Sequence, residues 1–173
     1  TDGASLLFTI KENNYLGKGI AVTNSVLISD ESIKGNFSVN NPNYNNSDKE
    51  LNLNFQALET DRLKDFGYKT NKTGFTVSSN FEYYDDLFLG VGSTNFYERI
   101  ETDSTASARL RKQEGDYWDS FLKLDFDYDK RNQKFQTSDG FRSYYSLDLP
   151  LVSDTNTLKN SYNFKYFTEL YDN

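Results

Sequence analysis

Three carboxylates at alternate positions, Asp125, Asp127 and Asp129, form the spacing in this sequence that most suggests chemistry. A D-x-D-x-D run opens calcium loops, which also require Gly at the sixth position and Glu at the twelfth. Lys130 and Gln136 stand there instead, so the calcium reading fails. Alternate residues of a strand share a face, and the three acids then read as a polar strand face, partnered by Lys123, Arg131 or adjoining strands. Asp85 and Asp86 sit in a turn-like segment, where solvation explains them better than acid–base work. With no Cys and no His, the chain has no thiolate nucleophile, disulfide, imidazole base or ordinary zinc site. Gly17-Lys18-Gly19 and Gly90-Val91-Gly92 lack the spacing of phosphate loops. Asn36-Phe37-Ser38, Asn45-Asn46-Ser47 and Asn71-Lys72-Thr73 match the glycosylation pattern, which an Asn-rich chain produces by chance. We expect no catalytic residue, no metal and no cofactor.

Composition narrows the class. A net charge of -7 and a pI near 4.6 argue against a nucleic-acid partner, which a basic patch would mark. Hydrophobic residues make up 36% and mean hydropathy is -0.77, values that suit a solvated chain, yet 16% of residues are aromatic. Disordered chains are poor in aromatics. A sheet with one aromatic-rich face and one polar face reconciles the two. No run approaches the ~20 apolar residues of a membrane-spanning helix. The sequence contains no Met, so we expect a processed or partial chain.

The elements that place these residues follow a period of two. Leu122, Leu124, Phe126 and Tyr128 alternate with Lys123, Asp125, Asp127 and Asp129, and Leu51, Leu53, Phe55 and Ala57 alternate with Asn52, Asn54 and Gln56. The same parity links Leu6, Phe8 and Ile10; Ile20, Val22, Val26 and Ile28; Phe37 and Val39; Phe75, Val77, Phe81 and Tyr83; Leu87, Leu89 and Val91; Phe141, Tyr145, Leu147 and Leu149, with Leu151; and Tyr162, Phe164 and Tyr166. Turn signals rich in Asn, Asp, Ser and Gly fall at 1–3, 29–32, 43–48, 84–86, 137–140 and 153–157. The reading is about nine strands of about 8–14 residues each, in one all-β, antiparallel domain spanning 1–173. The best helical stretch, 106–113, reads as part of a long loop.

Such strands suit a soluble sandwich, whose apolar faces meet each other, or a membrane barrel, whose apolar face meets lipid while its polar face lines the lumen. Three features favour the barrel. The strands are long. Charged loops at 62–69 and 103–117 contrast with a tight turn at 84–86, as long and short connections contrast at the two ends of outer-membrane barrels. Finally, Tyr83, Tyr84, Phe96, Tyr97, Tyr117, Trp118 and Tyr128 cluster near strand ends, where an interfacial girdle belongs. Lys123, Asp125, Asp127 and Asp129 are expected to face the lumen, and Leu122, Leu124 and Phe126 the lipid.

Three segments together resemble one family. Glu12-Asn13-Asn14-Tyr15-Leu16-Gly17-Lys18-Gly19 resembles the N-F/W-L-G-x-G turn after an early strand of BamA-type outer-membrane assembly factors. Val39-Asn40-Asn41-Pro42-Asn43-Tyr44 resembles the family's T-N-P-Y/W segment. Tyr128-Asp129-Lys130-Arg131-Asn132 with Thr137-Ser138-Asp139-Gly140 resembles its Y-D-x-R/T-N and P-T-D/S-G segment, with Thr137 in place of the usual Pro. That segment leads into a strand ending near Leu149-Pro150. The matching positions are Asn14, Leu16, Gly17, Gly19, Asn41, Pro42, Tyr44, Asp129, Arg131, Asp139 and Gly140.

The resemblance implies a sixteen-stranded outer-membrane barrel preceded by periplasmic POTRA domains, which folds and inserts other β-barrel proteins without ATP. This chain would be the N-terminal half of that barrel, about 8–9 strands. It would start at the first hairpin turn, stop after about the tenth strand, and lack the POTRA domains, most or all of the first strand, and the C-terminal strands with the V-R-G-F loop. Implied partners are outer-membrane lipid of a Gram-negative cell, unfolded β-barrel clients and accessory assembly lipoproteins. A secretion or translocation pore of the same superfamily is the alternative, as is a complete small eight-stranded anchoring barrel. The end Leu170-Tyr171-Asp172-Asn173, without a terminal aromatic, argues against the last. A soluble, ligand-binding sandwich is the remaining reading.

Overall fold

A computed structural model describes residues 4–153 and 157–171. The expected turn at 1–3, part of the one at 153–157, and Asp172 and Asn173 lie outside the described residues. The strands are β1 (Ser5–Tyr15), β2 (Ile20–Ser29), β3 (Ser32–Asn41), β4 (Glu50–Arg62), β5 (Tyr68–Tyr84), β6 (Leu87–Thr102), β7 (Gly115–Asp129), β8 (Gly140–Val152) and β9 (Lys159–Phe167). They form one nine-stranded sheet in sequence order, every neighbouring pair antiparallel. β1, an 11-residue strand, precedes the turn at 16–19, so the described residues include a full strand before that hairpin turn.

Among the described residues helix is confined to single turns. α1 (Leu63–Phe66) lies between β4 and β5, and α2 (Ala108–Arg111) lies within the long β6–β7 connection, where the sequence reads as loop. Ser107 caps α2 by accepting a hydrogen bond from Leu110 N at 3.3 Å. A short 3-10 turn, Tyr44–Asn46, lies between β3 and β4.

The register shows why alternation produces two separate faces. Residues opposite each other in the ladder share a face. Phe37 stands opposite Phe55, and Phe55 opposite Phe75. Their rings lie 6.4 and 6.2 Å apart, a row of aromatic contacts across three strands. On the opposite face Asn36, Gln56 and Gly74 align, as do Asn40, Asn52 and Ser78. β7 and β8 slip by one residue at Ser120/Phe121, where Pro150 enters the ladder. A proline has no N–H to donate, and such a bulge is where a sheet tolerates one.

Among the described residues no second layer covers either face. Among the described residues no large side chain is fully buried; Phe8 is 61% exposed and Phe55 50%. A single aromatic-faced sheet has no interior in water.

Candidate functional site

The candidate site is the polar face with the rim beside it. On β7, Asp127 accepts two hydrogen bonds from Arg142 of β8, from Nε at 2.8 Å and Nη2 at 2.6 Å. Asp129 receives the same fork from Arg131, at 2.7 and 2.6 Å. Asp125 accepts from the Tyr144 hydroxyl at 2.7 Å and lies 3.6 Å from Lys123 Nζ. The expected partners Lys123 and Arg131 are thus in place. The strand-borne partners Arg142 and Tyr144 lie opposite Asp129 and Asp127, a pairing visible only once the register is known. Forked Arg–carboxylate pairs are among the stronger hydrogen-bonded contacts because both partners are charged and planar.

Across the sheet, Asn40 bonds Glu50 and also reaches Asn52 at 2.5 Å, while Asn54 donates to Asn36 at 2.9 Å. Thr76 and Thr94 hydroxyls meet at 3.1 Å. A cavity of about 480 Å³ lies over this face, lined by Glu50, Asn80, Asp125, Asp127, Arg142 and Tyr144 among others.

Glycines show which way the sheet curves. A Cβ on Gly74 would come within 2.7 Å of Phe96 Cβ, one on Gly90 within 3.0 Å of Asp125 Cβ, and one on Gly92 within 3.0 Å of Ser78 Cβ. All three share the face of Asp125, since Gly90 stands opposite Asp125 and Asn80. Gly35, on the other face opposite Ala57, has nothing within 4 Å. Side chains converge on the inside of a curved sheet and diverge on the outside, so the polar face is the concave one.

The convex face carries most of the apolar strand residues: Leu122, Leu124 and Phe126 on β7 lie in line with Ser93, Val91 and Leu89 on β6, while Leu7, Leu27, Leu58, Phe88 and Phe121 lie on the concave side. Outward charges among the described strand residues are Glu12, Glu59, Asp61, Lys69, Arg99, Glu101 and Asp116, all near strand ends. Asn24 and Asn95 are amides within this face, and Asn95 lies between Ser93 and Tyr97 on β6. Asn95 accepts from Ser120 Oγ at 2.5 Å and donates to Ser93 at 3.0 Å, so its amide is satisfied locally. The girdle expectation needs one correction. Tyr97, Trp118 and Tyr128 face outward, but Phe96 and Tyr117 face inward, because each is one residue off that parity. Phe96 lies beneath Lys72 Nζ at 3.8 Å and stacks on Phe121 at 6.0 Å, and the Tyr117 hydroxyl donates to Gln113 O.

The motif positions gather at one rim, because the up-and-down order places the connections 16–19, 42–49, 85–86 and 130–139 at the same end. In the first, Asn14 Oδ1 accepts from Gly19 N at 2.7 Å, and Leu16, Gly17 and Gly19 have φ of 55, 69 and 67°. Left-handed backbone at those positions is what the glycines permit. In the second, Asn41 Oδ1 accepts from Asn43 N, and Tyr44 N donates to Lys49 O at 2.9 Å. In the fourth, Asn132 is the hub: its N donates to Asp139 O at 3.0 Å and its Oδ1 accepts from Ser138 and Asp139. Lys130 Nζ reaches Asp86 at 2.6 Å, and that carboxylate raises the lysine's pKa above its ordinary value. Hydrogen bonding to Asp129 likewise raises Arg131.

Loop length does not separate the two ends as expected. The opposite end holds the two-residue connection 30–31 as well as the long 103–114.

With the faces and rim defined, known proteins place the chain. The Omp85 superfamily domain matches residues 14–173. This chain belongs to the Omp85 superfamily. Its members are proteins of outer-membrane insertion and translocation, and the fold agrees. The structure of BamA from Haemophilus ducreyi lacking POTRA domains 1–3 superposes with a TM-score of 0.65 at 18% identity, over 94% of this chain and 35% of that one. The chain therefore has the fold of part of an Omp85 outer-membrane barrel and spans about a third of that relative. A search of curated proteins finds no match.

Proposed function

We propose that this Omp85 segment is part of the barrel of an outer-membrane assembly factor of a Gram-negative cell. The concave face lines a watery lumen, the convex face meets lipid, and the whole protein folds and inserts other β-barrel proteins without cofactor or bond-making chemistry. Client chains, outer-membrane lipid and accessory lipoproteins are its proposed partners. The segment represents about nine strands of a sixteen-stranded barrel, with POTRA domains and later strands supplied elsewhere in the protein.

One observation carries the membrane reading. The ladder row through Phe8, the centre of the apolar run on β1, passes Val26, Gly35, Ala57, Thr73 and Tyr97 and reaches Trp118 on β7. The apolar run on β7 is centred about seven residues further along, between Leu124 and Phe126. The band thus climbs ~24 Å while crossing six strand spacings of ~4.8 Å, a slope of about 40°. A level membrane band crossed by strands tilted about 35–45° requires that drift. A flat sandwich face does not.

Nitroxide labels at Leu124→Cys and Asp125→Cys of the whole protein in liposomes test the faces. Oxygen should relax the first and a water-soluble nickel chelate the second; the reverse overturns the assignment. For the activity, liposomes holding the whole protein should speed the folding of an unfolded outer-membrane client over empty liposomes. A correctly inserted barrel that gives no acceleration would sink the assembly reading and favour the secretion pore.

A further inference from the structure

The β6–β7 connection carries a feature that the barrel reading leaves unused. Arg109, Arg111 and Lys112 are all exposed within and just after α2. None takes part in an ion pair or ring contact among the described residues, whereas the other arginines, Arg62, Arg99, Arg131 and Arg142, each hold a carboxylate. The two acids of the same connection are occupied: Asp103 accepts from Thr105, and Glu114 from Thr102. A chain of net charge -7 therefore holds three unpaired cations in one turn. Pairing with acids of its own sheet does not account for them.

The hairpin beneath positions this turn. Tyr97 and Trp118 stand opposite each other on the convex face, followed outward by Arg99, which bonds Asp116 at 2.7 Å. Aromatic pairs of this kind mark the membrane–water boundary. Glu114 lies about four residues beyond Trp118, roughly 10 Å along the barrel axis at the slope derived above. That height is just past a headgroup layer of roughly 5–7 Å. Long Arg and Lys side chains span the difference while keeping their charge in water.

We infer that the α2 turn is a docking surface for phosphate-bearing lipid headgroups, anchored by Arg109, Arg111 and Lys112. The inference rests on the barrel reading. Cations beside an anionic surface each favour it about fivefold, and salt screens the effect. Lys64 in the neighbouring α1 connection adds to the same rim, offset by Asp65.

The sequence has no native cysteine, so a single label reports cleanly. The whole protein carrying Ala108→Cys with a fluorophore is placed in nanodiscs of phosphatidylcholine alone or with phosphatidylglycerol, each with a headgroup-nitroxide quencher of matching charge. Quenching should be at least about fivefold stronger in the anionic discs, the effect of one cation alone. It should fall to the neutral level with Arg109→Gln/Arg111→Gln/Lys112→Gln or at high salt. Equal quenching in the two membranes overturns the inference. So does a label already immobile in detergent without anionic lipid, which would reveal an acidic protein segment as the occupant. A second label at Leu124→Cys with an acyl-chain quencher separates the premises. If Leu124 is not quenched, the barrel reading falls and this inference with it; if it is quenched, an absent lipid preference at Ala108 overturns the docking surface alone.

Discussion

Gly140 shows how one residue can hold a rim together. Its φ is 101°, and a Cβ there would lie 2.1 Å from Lys130 O. That carbonyl belongs to the strand-to-loop junction where Lys130 N also donates to Phe141 O. Gly140→Ala should therefore destabilise the protein by about 3 kcal/mol or more, from strain and a backbone clash together. Urea unfolding in detergent reads this directly, and a loss below ~1 kcal/mol would refute it. Asp103, in the loop at the other end, offers a pH test. The Thr105 hydroxyl, then its N–H, holds that carboxyl below its ordinary value. A depressed carboxylate contributes order that is present above its unfolded value and lost as pH falls through the folded one. Protease resistance of the 103–114 loop should thus weaken on acidification below the ordinary carboxylate range. With Asp103→Asn it should be weaker at neutral pH and no longer respond in that window.

At the scale of elements, the glycines of β3, β5 and β6 separate the two faces. Gly35→Ala enters open space on the convex side and should leave stability unchanged or raise it by up to about 1 kcal/mol. Gly74→Ala meets Phe96 on the concave side and should cost about 1–3 kcal/mol. Equal effects in denaturant titrations would mean that the curvature is misassigned. The strands themselves were readable beforehand, because side chains alternate with a strict period of two and turn residues interrupt the runs. What depends on a single residue of parity or on local backbone is not legible in the sequence. Phe96 and Tyr117 sit beside the outward aromatics in sequence, but their neighbours Tyr97 and Trp118 hold that parity. The α2 turn reads as loop in the sequence, since one turn stabilised by a Ser107 cap has too few residues to show a helical period.

For the whole molecule, β1 and β9 leave their outer edges unpaired within the described sheet. Exposed edges invite pairing, and the convex face has no aqueous interior in which to hide Leu6, Phe8 or Phe164. Expressed alone and refolded in detergent, the segment should sediment as dimers or larger species, while the whole protein should not. A stable monomer of the isolated segment would contradict this.

The two-faced strands, their approximate number, and the identity of the polar and apolar sets are legible in the residues alone, because alternation is a local property of the chain. The turn signatures are legible there too, since positive φ and Asn-capped hydrogen bonds demand particular residues within a few positions. Which carboxylate meets which arginine, which face is concave, and the climb of the apolar band across the sheet at about 40° emerge from the folded sheet alone. Each of those depends on register between strands far apart in sequence, and a shift of one residue reverses a strand's faces. The low hydropathy with abundant aromatics thereby acquires a geometric cause: a single curved sheet with a polar concave face and an aromatic-rich convex one.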